Sequence, residues 1–335
     1  MPMRRGGLLG AALSCAASPR LTLAILLLLG AAVLYAYLSG HHATWVLALP
    51  FLLFALNLGA AVATHPAFRR NPALLCFHLA LIALVVLVAA SRLTYLKGHI
   101  ELTEGEWFDG TLTAEESGPW HRHRLGRVRF GNESFRISYA QGVRRGPTRN
   151  AVSWVDADGS IRRNEIGDSD PLVLEGYRFY TSFNKGFAPM FAWRAKGSTE
   201  WMRGSIHLPA YPLHEYRQAL EWTPPGSALK LWTMLQIDET LVDPARSFEF
   251  RVPTQHRIVI RVGDARHELA PGARVELPEG TLHYEGLRTW MGYQVFSDWT
   301  IPWLLASACA AAGTLAWHFW KKFSGHAWDR AETTS

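Results

Sequence analysis

Residues 73–91 read ALLCFHLALIALVVLVAAS, nineteen positions without an Asp, Glu, Lys or Arg and with one histidine, His78, near the start. An α-helix rises ~1.5 Å per residue, so a run of this length matches the ~30 Å hydrocarbon core of a bilayer. Residues 21–38, 43–64 and 299–320 are also free of those four residue types. The mean hydropathy of +0.01 therefore averages two unlike parts. The spacing predicts four transmembrane helices, at about 21–38, 43–64, 73–95 and 298–320. Between the third and fourth lies a polar insert, residues 98–297, and the pattern excludes a water-soluble globular enzyme.

The net charge of +6 sits at the membrane ends. The insert holds 24 Lys+Arg against 25 Asp+Glu, so the basic excess lies in the flanks and short loops. Lipid headgroups and topology account for it, and nucleic acid is not expected as a partner. Arg4, Arg5, Arg20, Arg69, Arg70, Lys321, Lys322 and Arg330 lie on one side of the predicted spans. The Ser39–His42 loop has no Lys or Arg, and Arg92 and Lys97 are alone on the other side. The positive-inside rule then makes both termini cytoplasmic and residues 98–297 extracytoplasmic. Residues 1–20 carry an Arg pair and Cys15 but only a short apolar stretch, and are read as a cytoplasmic tail, as are residues 321–335. Trp299 and Trp303 at one end of the fourth span, and Trp317 and Trp320 at the other, suit indoles at headgroup depth.

Cys15, Cys76 and Cys309 all fall outside the insert, which therefore has neither a disulfide framework nor a cysteine zinc site. Alternating polar and apolar residues at 127–130, 135–139, 172–183, 190–195, 247–251, 257–262 and 280–287 predict strands. Gly146-Pro147, Asp156–Gly159 and Pro271-Gly272 supply the turns. Only Leu213–Leu220 and Ala228–Gln236 read as helical. The expected architecture is a β-rich, sandwich-like extracytoplasmic domain. Hydrolase, phosphate-loop and metalloprotease motifs are missing. His121 and His123 have no third ligand at metal spacing, and read as a solvated loop. His207, His214, His256, His267 and His283 are scattered singly, so the insert reads as a binding surface.

Inside the spans, Asn57 reads as an interhelical hydrogen-bonding residue. His78 lies about five residues, or ~8 Å, from the cytoplasmic start of the third span, and His318 is placed at similar depth in the fourth. Ionisable residues in spans face the bundle or a ligand, and a neutral imidazole is a good axial ligand for haem iron. A hydrogen bond to a neighbouring helix is the other reading of each. A solute transporter is disfavoured by the absence of an inverted repeat.

Several stretches resemble the cytochrome c biogenesis protein ResB family. They are Phe77-His-Leu79, Gly98-His-Ile-Glu-Leu-Thr-Glu-Gly-Glu106, Tyr177-Arg-Phe-Tyr180, Lys185-Gly-Phe-Ala-Pro189, Trp290-Met-Gly-Tyr293, Asp298-Trp-Thr-Ile-Pro-Trp303 and Trp317-His-Phe-Trp320. The layout of three spans, an external domain and a fourth span is similar from end to end, although the domain is shorter than is usual there. The resemblance implies a subunit of a cytochrome c maturation complex in the bacterial inner membrane, working with a ResC/CcsA-type membrane protein. It further implies that the pair binds and exports haem b and supports its covalent attachment to apocytochrome c. His78 stands at the family's haem-ligating position, making it the expected axial ligand to haem iron; His318 has no matching family position and is carried as a second candidate on its depth in the fourth span alone. The partner's tryptophan-rich motif is absent here, which places the attachment chemistry largely on that partner; no catalytic residue is expected in this chain. The alternative is a scaffold without haem whose β-domain recruits a partner protein.

Overall fold

The computed structural model describes residues 8–39, 44–156, 158–213 and 217–324. Arg4, Arg5, residues 40–42 of the loop after Ser39, His214 and Arg330, all used above, lie outside them. The chain divides into a helical unit (Met1–Leu96, Glu116–Arg122, Ser297–Ser335) and a β-rich unit (Lys97–Glu115, His123–Phe296).

The helical unit contains α1 (Leu8–Ala16), α2 (Pro19–Ser39), α3 (Thr44–Thr64), α4 (Pro66–Arg70), α5 (Pro72–Thr94) and α6 (Ile301–Phe323). Three of these, α2, α3 and α5, are long and apolar enough to cross a membrane. The fourth expected span forms a 23-residue helix displaced by three residues at each end, α6, whose hydropathy is lowered by Pro302, Ser307, Gly313, Thr314, His318 and its tryptophans. Asn57 is buried in α3 and behaves as its position predicted. Its amide oxygen accepts from Thr22 Oγ1 on α2 at 2.7 Å, and its Nδ2 donates to the Ala16 carbonyl that ends α1 at 2.6 Å. The amide thereby satisfies an orphan carbonyl at a helix C-terminus in an apolar setting, where an unpaired one costs several kcal/mol.

In chain order the strands are β1 (Leu96–Thr103), β2 (Ala114–Ser117), β3 (Phe130–Ala140), β4 (Arg144–Val155), β5 (Ile161–Gly167), β6 (Leu172–Leu174), β7 (Tyr177–Ala195), β8 (Met202–Ser205), β9 (Ala219–Trp222), β10 (Leu231–Ile237), β11 (Phe248–Glu249), β12 (His256–Val262), β13 (Ala265–Leu269), β14 (Arg274–Leu277) and β15 (Gly280–Ser297). They form three sheets. The largest runs β2-β1-β15-β7-β6, with β14 also on β15 and β8 on β7; the others run β11-β3-β4-β5 and β13-β12-β10-β9. Its spine is the antiparallel β7–β15 pair, in register from Gly280 opposite Ala195 to Phe296 opposite Arg178, with shifts at Tyr284/Gly286 and Met291/Tyr293. Gly280 permits the close pairing, since a Cβ there would lie 2.3 Å from the Arg194 carbonyl oxygen.

Aromatic rings build the core between the first two sheets. Phe130 of β3 lies 4.8 Å from Phe179 of β7 and 5.4 Å from Tyr293 of β15 between ring centroids. Beside them is a buried amide network. Tyr293 donates its hydroxyl to Asn150 Oδ1 (2.8 Å), Asn150 Nδ2 donates to Asn132 Oδ1 (2.9 Å), and Asn132 Nδ2 donates to the Leu102 carbonyl (3.0 Å). Every polar group in that chain has a partner, as burial requires.

Three sequence expectations are corrected. Ala228–Gln236 is not helical; most of it is β10. Leu231, Met234 and Leu235 sit at helix-like spacing, yet the run pairs with β9 on one side and β12 on the other, and Leu231, Thr233 and Leu235 turn inward. Position between two strands decides what period alone leaves ambiguous. Of Leu213–Leu220, residues 214–216 lie outside the described set, and the end, Ala219-Leu220, opens β9. Residues 125–127 form a single 3₁₀ turn, so the strand expected from Arg127 begins at Phe130.

Candidate functional site

The residues expected to handle haem lie on α5 and α6, and one amide organises both. Asn71 is the N-cap of α5: its side-chain oxygen accepts from Leu74 N (3.2 Å), and Pro72 fills the first helical position. With the oxygen so occupied, the Asn71 NH₂ faces His318 Nδ1 at 3.0 Å. An NH₂ group only donates, so His318 Nδ1 is the acceptor, and the neutral ring carries its proton on Nε2.

His78 has the opposite arrangement. Its Nδ1 is 2.8 Å from the Leu74 carbonyl one turn earlier on α5. A carbonyl only accepts, so Nδ1 carries the proton and Nε2 keeps its lone pair in the neutral ring. The ring is half-buried, and it meets Phe68 of α4 edge-on at 4.6 Å and Phe77 at 5.1 Å. Haem iron takes a neutral imidazole nitrogen whose other nitrogen donates a hydrogen bond that fixes the ring. His78 fits that requirement. His318, with its Nδ1 lone pair engaged, fits it less well in this arrangement.

Sequence reading overlooked His65, whose Nδ1 accepts from Ala67 N (3.3 Å) as the N-cap of α4. Its ring lies 5.9 Å from Phe68, so His65, Phe68 and His78 follow one another in space. A histidine directly before Pro66 in a short polar loop carries no sequence signal beyond that of a turn.

A model of the ResB-like family matches residues 61–257. The chain belongs to the ResB-like family. The match takes in α5 with His78 and ends before α6 with His318. No curated protein matches this chain. Among solved structures, a protein titled "Cytochrome c Heme Lyase CcmF" aligns at 13% identity with a TM-score of 0.29, over 90% of this chain and 35% of the other. This ResB-like chain thus spans about a third of that protein's length, and the likeness is too remote to carry any residue across.

In the β-rich unit of this ResB-like chain, the fold assembles an acid–imidazole–hydroxyl chain that the sequence reading left as scattered residues. His207 Nδ1 meets Glu101 Oε2 at 2.8 Å, its Nε2 meets Thr103 Oγ1 at 3.0 Å, and Thr103 Oγ1 meets Ser205 Oγ at 2.6 Å. The ring stacks on Trp290 at 4.8 Å. His207, joined to it by a hydrogen bond, holds the Glu101 carboxyl down at about 2. The order of groups is that of a hydrolase relay, but Thr103 has no exposed surface, so its hydroxyl meets no substrate. The network is a pin between β1 and the segment following β8. About a hundred residues separate its halves, which is why no local motif betrays it. His121 Nδ1 donates to the Thr94 carbonyl (2.8 Å), and His123 lies 3.7 Å from Glu115. Among the described residues no group of three or more His, Cys, Asp or Glu is placed to hold a metal ion.

Proposed function

We propose that this chain is a haem-handling subunit of a cytochrome c maturation complex, with His78 as the axial ligand within the membrane. The observation that carries the reading is the His78 Nδ1–Leu74 carbonyl hydrogen bond, which orients the ring and leaves Nε2 with its lone pair, in a family-matched, membrane-length helix. Haem, when bound, supplies the iron that this nitrogen ligates and the vinyl groups that a c-type cytochrome uses. The chain's own part is to position the imidazole through the Leu74 carbonyl and to bracket it with Phe68 and Phe77. Covalent attachment to apocytochrome c belongs largely to a ResC/CcsA-type partner.

The topology belongs to the same proposal: both ends cytoplasmic, residues 98–297 outside a bacterial cytoplasmic membrane, and α6 as a fourth span. Two ties support α6 in that role. Asn71 meets His318 at one end of the α5–α6 pair, and Ser91 Oγ donates to Asp298 Oδ2 (2.6 Å) at the other. Each tie is twenty residues from the next along its helix, or ~30 Å, the thickness of the hydrocarbon layer. The packing of β3 against β7 and β15 supports a sandwich-like external domain whose surface receives the partner or the apocytochrome.

The test is the visible absorption of the detergent-purified chain, co-expressed with its partner, as wild type and as His78→Ala. A reduced low-spin b-type spectrum lost or weakened in His78→Ala is expected. An intact complex with no haem in either preparation overturns the reading and leaves a scaffold.

A further inference from the structure

Residues 116–122 lie, by sequence, inside the polar insert, yet they belong to the helical unit. They cover the C-terminal end of α5. Trp120 N donates to the Leu93 carbonyl (2.8 Å), Gly118 N to the Tyr95 carbonyl (2.9 Å), and His121 Nδ1 to the Thr94 carbonyl (2.8 Å). These are carbonyls that a helix leaves unpaired at its end, and a span needs them satisfied where water thins out. The approach is close: a Cβ on Gly118 would come within 2.3 Å of the Leu93 carbonyl group.

So docked, the segment turns its indole outward. Trp120 is 60% exposed, and its ring meets Trp45, in the first turn of α3, edge-on at 5.7 Å. Trp299, also exposed, donates its Nε1–H to Thr94 Oγ1 at 2.9 Å on the same helix end. Three indoles thus gather at the end of the span where α3 begins and α5 stops. Indole has an apolar body and one polar N–H, which suits it to the headgroup layer.

We propose that Glu116–Arg122 is seated in the membrane surface, with Trp120 lodged among phospholipid headgroups beside Trp45 and Trp299. The segment is then a second, non-helical attachment of the insert's chain to the bilayer, made by the end of β2 and the turn that follows it. The inference rests on α5 crossing the bilayer.

The experiment uses the full chain, with Cys15, Cys76 and Cys309 replaced by serine, in phosphatidylcholine–phosphatidylglycerol vesicles without the partner. A nitroxide is attached at Pro119→Cys, at Val86→Cys on α5, and at Asp264→Cys in the β12–β13 turn. Oxygen, which concentrates in lipid, is expected to relax the label at 119 several-fold more, relative to a water-soluble nickel chelate, than the label at 264. Water-like behaviour at 119 with lipid-like behaviour at 86 overturns the proposal while the spanning helix stands. Water-like behaviour at both overturns the two together, and shielding of 119 from both reagents means a protein contact and also overturns it. Should the 119 variant misfold, brominated phospholipids are expected to quench less tryptophan emission in Trp120→Phe than in wild type; equal quenching overturns the proposal.

Discussion

Replacing Lys185 by methionine is expected to stabilise the β-rich unit at neutral and acidic pH and to flatten its pH dependence. Lys185 lies in the middle of β7 with 1% of its surface exposed, and its Nζ meets Thr148 Oγ1 at 2.8 Å. The Thr148 hydroxyl also receives Arg145, which pairs with Asp168 at 3.0 Å. Burial, reinforced by Arg145, pushes the Lys185 ammonium down to about 7 from an ordinary 10.5. A lysine whose folded value is depressed opposes folding fully below about 7, and the opposition fades as pH rises toward 10.5. At ~1.4 kcal/mol per tenfold change in proton affinity, that interval is worth at most ~5 kcal/mol. Against it stands the lost hydrogen bond, ~1 kcal/mol. Lys185→Met is therefore expected to be more stable than wild type by ~2–4 kcal/mol at pH 6 and slightly less stable above pH 10.5. Urea unfolding of the detergent-purified chain, followed by near-ultraviolet circular dichroism between pH 6 and 10.5, reads the difference. Parallel pH profiles for the two proteins, or a uniform loss in Lys185→Met, would refute the reasoning.

Three further outcomes are expected. Glu101, held at about 2 chiefly by the His207 hydrogen bond, stabilises the fold above its ordinary 4.5 and loses that contribution as pH falls toward 2. Glu101→Gln should lower stability by ~2–3 kcal/mol at pH 7, with the gap to wild type closing by pH 2–3 in the same unfolding assay. His318→Ala should keep the haem spectrum that His78→Ala loses, since the His318 Nδ1 lone pair is engaged by Asn71; loss in both would make His318 a ligand as well. Asn57→Leu removes the amide that joins Ala16 and Thr22, so amide hydrogen exchange in Leu8–Ala16 should quicken by roughly tenfold, about 1.4 kcal/mol of opening free energy. Unchanged protection of α1 would show that its packing does not depend on Asn57.

Three apolar helices and a β-rich insert were legible in the sequence because the signal of each is local. A bilayer demands an unbroken apolar run, and a half-buried strand demands alternation; each leaves its mark within some twenty residues. The position of His78 was legible for the same reason, as one imidazole in an otherwise apolar run, and the resemblance to the ResB family rested on short contiguous stretches. The tertiary structure decided what depends on residues far apart in the chain. It made β10 a strand by placing it between two others, drew Glu101, Thr103, Ser205 and His207 into one half-buried hydrogen-bonded chain, and folded residues 116–122 onto the end of α5. It also separated two histidines that composition treats alike. The proton of His78 is fixed by a carbonyl four residues away on its own helix, and that of His318 by an amide on another, because a hydrogen bond is set by the partner that geometry supplies.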